Sequence, residues 1–179
     1  QSTPKEDTNM SMLTRALLPL AVAALTLAAL PAQAAEVTYK VDLSGASNVP
    51  EPIKTPASGA LELRVAANGQ SVSYVLTVKD LENAVEADVH LGPAGANGPL
   101  VVKLFHAAPK KGTFTGVLAQ GKFDASDLKG SMTGAPLGDL LEQFAAGNAY
   151  VNLPTSDGID PPNSGPGDYR LGEIRGQIK

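Results

Sequence analysis

The chain has 179 residues, with 14 Lys+Arg, 18 Asp+Glu, 2 His and neither Cys nor Trp. An apolar fraction of 43% against 18% charged residues describes one folded domain, not a disordered chain. The net charge of -4 argues against a nucleic-acid binder. The missing Cys excludes disulfides, thiolate metal sites, Fe–S clusters and a Cys nucleophile, and the two His leave little for an imidazole-rich metal site.

Residues 1–34 read as a leader that is not part of the fold. Met10 and Met12 each offer a sensible start, and Arg15 then precedes an apolar run, Ala16–Leu30. That run is too short for a comfortable membrane span. Pro31-Ala32-Gln33-Ala34 follows, with small residues at Ala32 and Ala34. A basic residue, a short apolar stretch and an A-x-A site describe a secretory signal peptide, with cleavage expected after Ala34. Ala35–Lys179 is then the mature domain, with no transmembrane span. A Cys-free exported chain of this size is typical of a bacterial envelope.

The mature chain reads as successive short strands. Glu36–Leu43 alternates, with Val37, Tyr39, Val41 and Leu43 on one face. After a Pro-rich loop, Ala60–Ala66 alternates through Leu61, Leu63 and Val65. Asn68-Gly69 then separates it from Val72–Val78, which is a hairpin signal because both residues tolerate positive φ. Val85–Leu91 is expected as a fourth strand, Leu100–Phe105 as a fifth and Thr113–Phe123 as a sixth, bent at Gly116 and Gly121. Leu137, Leu140, Leu141 and Phe144 follow helical spacing, opened by Pro136 and closed by Gly147. Ala149–Leu153 and Gly172–Ile178 complete the strands, with a turn-rich loop, Pro154–Tyr169, between them. The pattern predicts an all-β antiparallel sandwich or barrel with one short helix.

Four segments carry a family resemblance. Leu43–Pro50, LSGASNVP, and Val89–Pro99, VHLGPAGANGP, resemble the opening and central motifs of the CHRD (chordin-type) domain. Ala146–Asn152, AGNAYVN, and Gly172–Ile178, GEIRGQI, resemble its closing motifs. The resemblance implies an extracellular or envelope protein. It also implies a Greek-key β-sandwich similar to that of copper–zinc superoxide dismutases. In those enzymes a His-x-His pair on a strand binds copper, and an Arg near the C-terminal strand attracts superoxide. The matching positions are Asp88, His90 and Arg175. The chain departs from the family pattern twice, with Asp88 where the first His of the pair is usual and Pro154 where a later His is usual.

Several side chains admit two readings each. Glu86, Asp88 and His90 leave one face of a strand. They either seed a metal site of carboxylate and imidazole donors, suited to zinc, copper(II) or manganese, or form a solvated outer face. His106 either joins His90 across the Gly92–Pro99 turn or is an exposed loop histidine. Arg175 either steers an anion beside a metal or is a structural residue paired to Glu173 or a loop carboxylate. Asp157, Asp160, Asn163 and Asp168 offer calcium-type oxygens, but Asp and Asn are also common turn formers. No P-loop, GxGxxG, HExxH or GxSxG motif is present.

Two functions compete. One is an exported module that binds or supports envelope or surface proteins in a larger assembly. The other is a copper-binding, superoxide-dismutase-like enzyme, with His90, Asp88 and His106 as metal ligands and Arg175 as the catalytic anion guide.

Overall fold

The computed structural model of the chain describes residues 1, 2, 36–159 and 161–179. The expected leader, apart from its first two residues, and its cleavage point lie outside the described residues.

Local alternation becomes sheet wherever it was expected, with shifted ends. β1 is Val37–Ser44, β2 is Ser58–Val65 and β5 is Ala149–Leu153. β6 is Ile174–Ile178, shorter than the expected Gly172–Ile178. The Asn68-Gly69 turn joins β2 to the next strand, with Gly69 at φ 67 and its N–H bonded to the Ala66 carbonyl.

The structure corrects the strand count. The expected third and fourth strands are one 20-residue strand, β3, Val72–Leu91. The expected fifth and sixth are likewise one 24-residue strand, β4, Leu100–Phe123. Within β3, Asp80 and Asn83 adopt φ values of 52 and 48, and the β3–β4 register slips repeatedly between Leu76 and His90. Short polar side chains tolerate that left-handed conformation. The breaks in hydrophobic alternation are therefore bulges that bend a continuous ladder, not gaps between strands.

The bend closes the fold. All ladders are antiparallel, in the order β2-β1-β6-β5-β3-β4, with an additional β2–β3 pairing. The first half of β3, Val72–Lys79, pairs with β2, and its last four residues pair with β5. One bent strand thus serves both layers of a barrel-like sandwich. β1 and β6 meet through a single register pair, Ser44 with Arg175. β5 lies beside β3 instead of its sequence neighbour β4, a non-sequential placement of the Greek-key kind.

The core is one cluster that includes Leu61, Leu63, Val72, Leu76, Val151 and Ile174. Helix α1, Leu137–Ala145, contributes Leu137, Leu140 and Phe144 to it, all on one helical face. Tyr39 of β1 meets the Phe144 ring edge-on, with centroids 5.5 Å apart. Among the described residues, no helix is long and apolar enough to cross a membrane.

These positions differ sharply in cost. Phe144→Ala is expected to lose about 3–5 kcal/mol, since it empties a fully buried ring site. Leu171→Ala, at a side chain 88% exposed, is expected to stay within about 0.5 kcal/mol. Urea midpoints of the two variants, at equal slope, check both.

Candidate functional site

The strand registers explain where the polar residues gather. Ser44 pairs with Arg175, Arg175 with Asn152, Asn152 with Asp88, and Asp88 with Lys103. Directly opposed residues point to the same face. These side chains therefore form one polar row across four ladders. A second row holds Gln177, Tyr150 and His90, which are also register partners.

This face is not a solvated surface, because the Gly92–Pro99 loop folds over it. Arg175, only 2% exposed, donates from Nη2 to the Ala96 carbonyl at 2.6 Å and from Nη1 to Asn97 Oδ1 at 2.7 Å. Its guanidinium carbon sits 3.5 Å from the centre of the Tyr150 ring. His90 stacks on the same ring at 5.1 Å and donates from Nδ1 to the Gly98 carbonyl at 3.0 Å. The Gly98 N–H donates to Tyr150 Oη at 3.0 Å. Gln177 Nε2 donates to the Gly92 carbonyl at 2.9 Å. A Cβ at Gly98 would lie 1.7 Å from the Leu91 carbonyl oxygen, so only glycine allows the loop to pack this closely.

Arg175 is not paired with Glu173, nor with any carboxylate among the described residues. Glu173 is fully buried and takes its own donors: the Thr55 hydroxyl, the Thr155 hydroxyl at 2.7 Å and the Gly167 N–H at 2.8 Å. Each buried charge is satisfied by a different set of loops. Burial pulls the Arg175 guanidinium below its ordinary value, partly countered by Tyr150. Burial also holds the His90 imidazole below its ordinary value, with the Arg175 charge acting in the same direction. Both effects favour the neutral imidazole.

Asp88 departs from the expected solvated face. It is 2% exposed, and its Oδ1 has no hydrogen-bond partner among the described residues. Burial, reinforced by the neighbouring Glu86 carboxylate, pushes its carboxyl up to about 7. Glu86 is the more exposed partner, ion-paired with Lys103 Nζ at 3.6 Å and in contact with His106 Nδ1 at 2.8 Å.

His106 does not approach His90. It stands opposite Glu86 in the β3–β4 ladder, with its side chain 63% exposed, whereas His90 stands opposite Leu100. Glu86 and His90 are four residues apart on β3, roughly 13 Å along an extended strand. Among the described residues, no three His, Cys, Asp or Glu side chains are grouped to hold a metal ion. Asp88, His90 and His106 do not form such a group among the described residues. The loop carboxylates act locally: Asp157 Oδ1 accepts the Ile159 N–H, and Asp168 Oδ2 accepts the N–H and hydroxyl of Ser164. Asp160 lies outside the described residues.

Tyr150, Asn97 and Gln177 were not singled out from sequence as site residues, although they hold the cluster together. The available signal was alternation in β5, which sets Tyr150 and Asn152 on the face opposite Val151 and Leu153.

Fold and site together define a closed antiparallel sandwich whose polar face is locked under a glycine-rich loop. Residues 39–161 match the CHRD domain family, and the chain belongs to that family. The match ends before β6, so Arg175 lies beyond it. No curated protein and no solved structure matches the chain.

The raised Asp88 carboxyl sets a pH dependence. Its folded value of about 7 exceeds an unfolded value of about 3.9, so the folded state holds the proton longer. Ionisation therefore costs stability progressively from about pH 4 to pH 7 and no further above that. Asp88→Asn is expected to gain on the parent protein across this window, by no more than about 4 kcal/mol at pH 8. Urea unfolding of both proteins at several pH values checks the sign; a gain that shrinks as pH rises contradicts it.

Proposed function

We propose that the protein is an exported CHRD-domain module that binds or supports other proteins of the cell envelope. The observation that carries this reading is the internal use of the polar cluster. The Arg175 guanidinium and the His90 Nδ1–H are both spent on holding the Gly92–Pro99 loop. A guanidinium fixed in this way stabilises a loop and is poorly placed to steer a diffusing anion.

Open concave surface lies elsewhere. A depression of about 400 Å³ runs over β1, β2 and β3, with Lys40, Asp42, Glu62 and Arg64 on its rim. Another, of about 240 Å³, is lined by Pro50, Ile53, Tyr169 and Leu171. Mixed charge around shallow surface suits contact with another protein better than enclosure of a small substrate. The signal-like leader and the family membership support an exported location.

The test combines fractionation with metal analysis. Tagged protein expressed in a bacterial host is expected in the envelope or medium, starting at Ala35, and crosslinked there into larger complexes. After copper loading and desalting it is expected to keep less than about one-tenth equivalent of metal and to show no superoxide dismutation. Stoichiometric copper and dismutation, both lost in His90→Ala, would establish the enzyme reading instead. An uncleaved cytoplasmic protein would remove the exported role.

A further inference from the structure

The Asn97-Gly98 dipeptide brings a reactive pair of groups to the clamp. We propose that Asn97 is a self-converting residue. The Gly98 nitrogen closes onto the Asn97 side-chain amide, ammonia leaves, and water opens the resulting imide to aspartate, with Arg175 holding the oxygen that becomes negative.

Four observations place the participants. Asn97 Oδ1 accepts from Arg175 Nη1 at 2.7 Å. A guanidinium only donates, so the carbonyl oxygen of the amide must face it. The charge that forms on Oδ1 as Cγ becomes tetrahedral therefore meets a donor already in position, as in an oxyanion hole. The nucleophilic nitrogen is that of glycine, which has no side chain to hinder closure. Its N–H donates to Tyr150 Oη at 3.0 Å, giving the departing proton an acceptor. That bond lies in the peptide plane and leaves the π electrons of the nitrogen free to attack. Asn97 Nδ2, the leaving nitrogen, points to the Val49 carbonyl at 3.1 Å. Asn97 is exposed, so water reaches the imide.

The step balances without any further reagent. The Gly98 N–Cγ bond forms and the Cγ–Nδ2 bond breaks. The proton lost from Gly98 passes by way of Tyr150 Oη and water to the leaving nitrogen, which departs as ammonia. Water then cleaves the imide. Attack at Cγ, the carbonyl that Arg175 polarises, restores the normal backbone with aspartate at 97; attack at the backbone carbonyl gives isoaspartate. The product carboxylate faces a buried guanidinium that has no carboxylate partner among the described residues. Conversion therefore supplies the missing counter-charge and tightens the clamp on the loop.

Asn68-Gly69 provides an internal reference, because it shares the dipeptide but sits in an exposed turn where, among the described residues, Asn68 Oδ1 accepts only the Gln70 N–H. The full-length protein is incubated at mildly alkaline pH in heavy-oxygen water, and peptides from both sites are followed by mass spectrometry. Asn97 is expected to convert at least about tenfold faster than Asn68, with incorporation of heavy oxygen and aspartate in excess over isoaspartate. In urea the two rates are expected to converge. Arg175→Gln and Tyr150→Phe are each expected to remove the lead of Asn97 while the protein stays folded by circular dichroism. If Arg175→Gln unfolds, Tyr150→Phe, which keeps the ring beneath the guanidinium, carries the comparison. Asn97→Asp is expected to melt above the parent protein. Folded parent protein in which Asn97 converts no faster than Asn68 overturns the proposal, as does an undiminished lead in folded Tyr150→Phe. A lower melting temperature for Asn97→Asp overturns the stabilising role of the product.

Discussion

A buried guanidinium with no carboxylate partner among the described residues organises this sandwich. Arg175 stands in β6 at the single point where β6 joins β1, and it is almost wholly removed from water. A buried cation needs hydrogen-bond acceptors for its donors. The Ala96 carbonyl, Asn97 Oδ1 and the Tyr150 ring provide that compensation. The Gly92–Pro99 loop is held to the sheet as a result, and Tyr150 carries the constraint on to His90 and Gly98.

Glu173 is the counterpart, two residues earlier. Its donors come from Thr55, Thr155 and Gly167, so it ties the loop before β2 and the long loop before β6 to the same corner. Two opposite buried charges so close in sequence do not pair, because each recruits a different part of the chain. Separation turns a local ion pair into a set of long-range staples. Asn97 Nδ2 adds a link to the Val49 carbonyl in the opening loop. The polar residues that resemble a reactive site in sequence are thus the fasteners of three loops, and among the described residues Asp88, like Asp168, is left with one unsatisfied buried oxygen.

Much of the fold was legible from side-chain alternation. Leu61-Leu63-Val65 and Val72-Leu76-Val78 are buried in the phase the alternation predicts, and the helix begins and ends within a residue or two of its Pro and Gly signals. The continuity of β3 and β4 was not legible. Alternation fails at a bulge just as it fails at a loop, and the positive φ values of Asp80 and Asn83 arise inside a ladder that long-range pairing holds together. The candidate site was legible as a set of positions but not as an arrangement. Asp88 and His90 do share a strand, yet nothing local shows that β5 pairs beside them or that a loop covers that face. Tyr150 and Gly98 stand 52 residues apart in sequence yet are hydrogen-bonded at one loop, a proximity that only the ladder creates.

By itself the sequence determined composition-level exclusions, the strand-rich class and three motifs that fall within the CHRD match, Leu43–Pro50, Val89–Pro99 and Ala146–Asn152. Those properties follow from residue type and short-range periodicity, which act whatever the rest of the chain does. Tertiary structure decided the roles of the charged residues. Whether Arg175 meets a metal, Glu173 or a loop carbonyl, and whether His106 reaches His90, depends on register and burial. Both are set by which strands pair and which loops close over them. A single offset along β3 places His106 beside Glu86 and leaves His90 stacked on Tyr150.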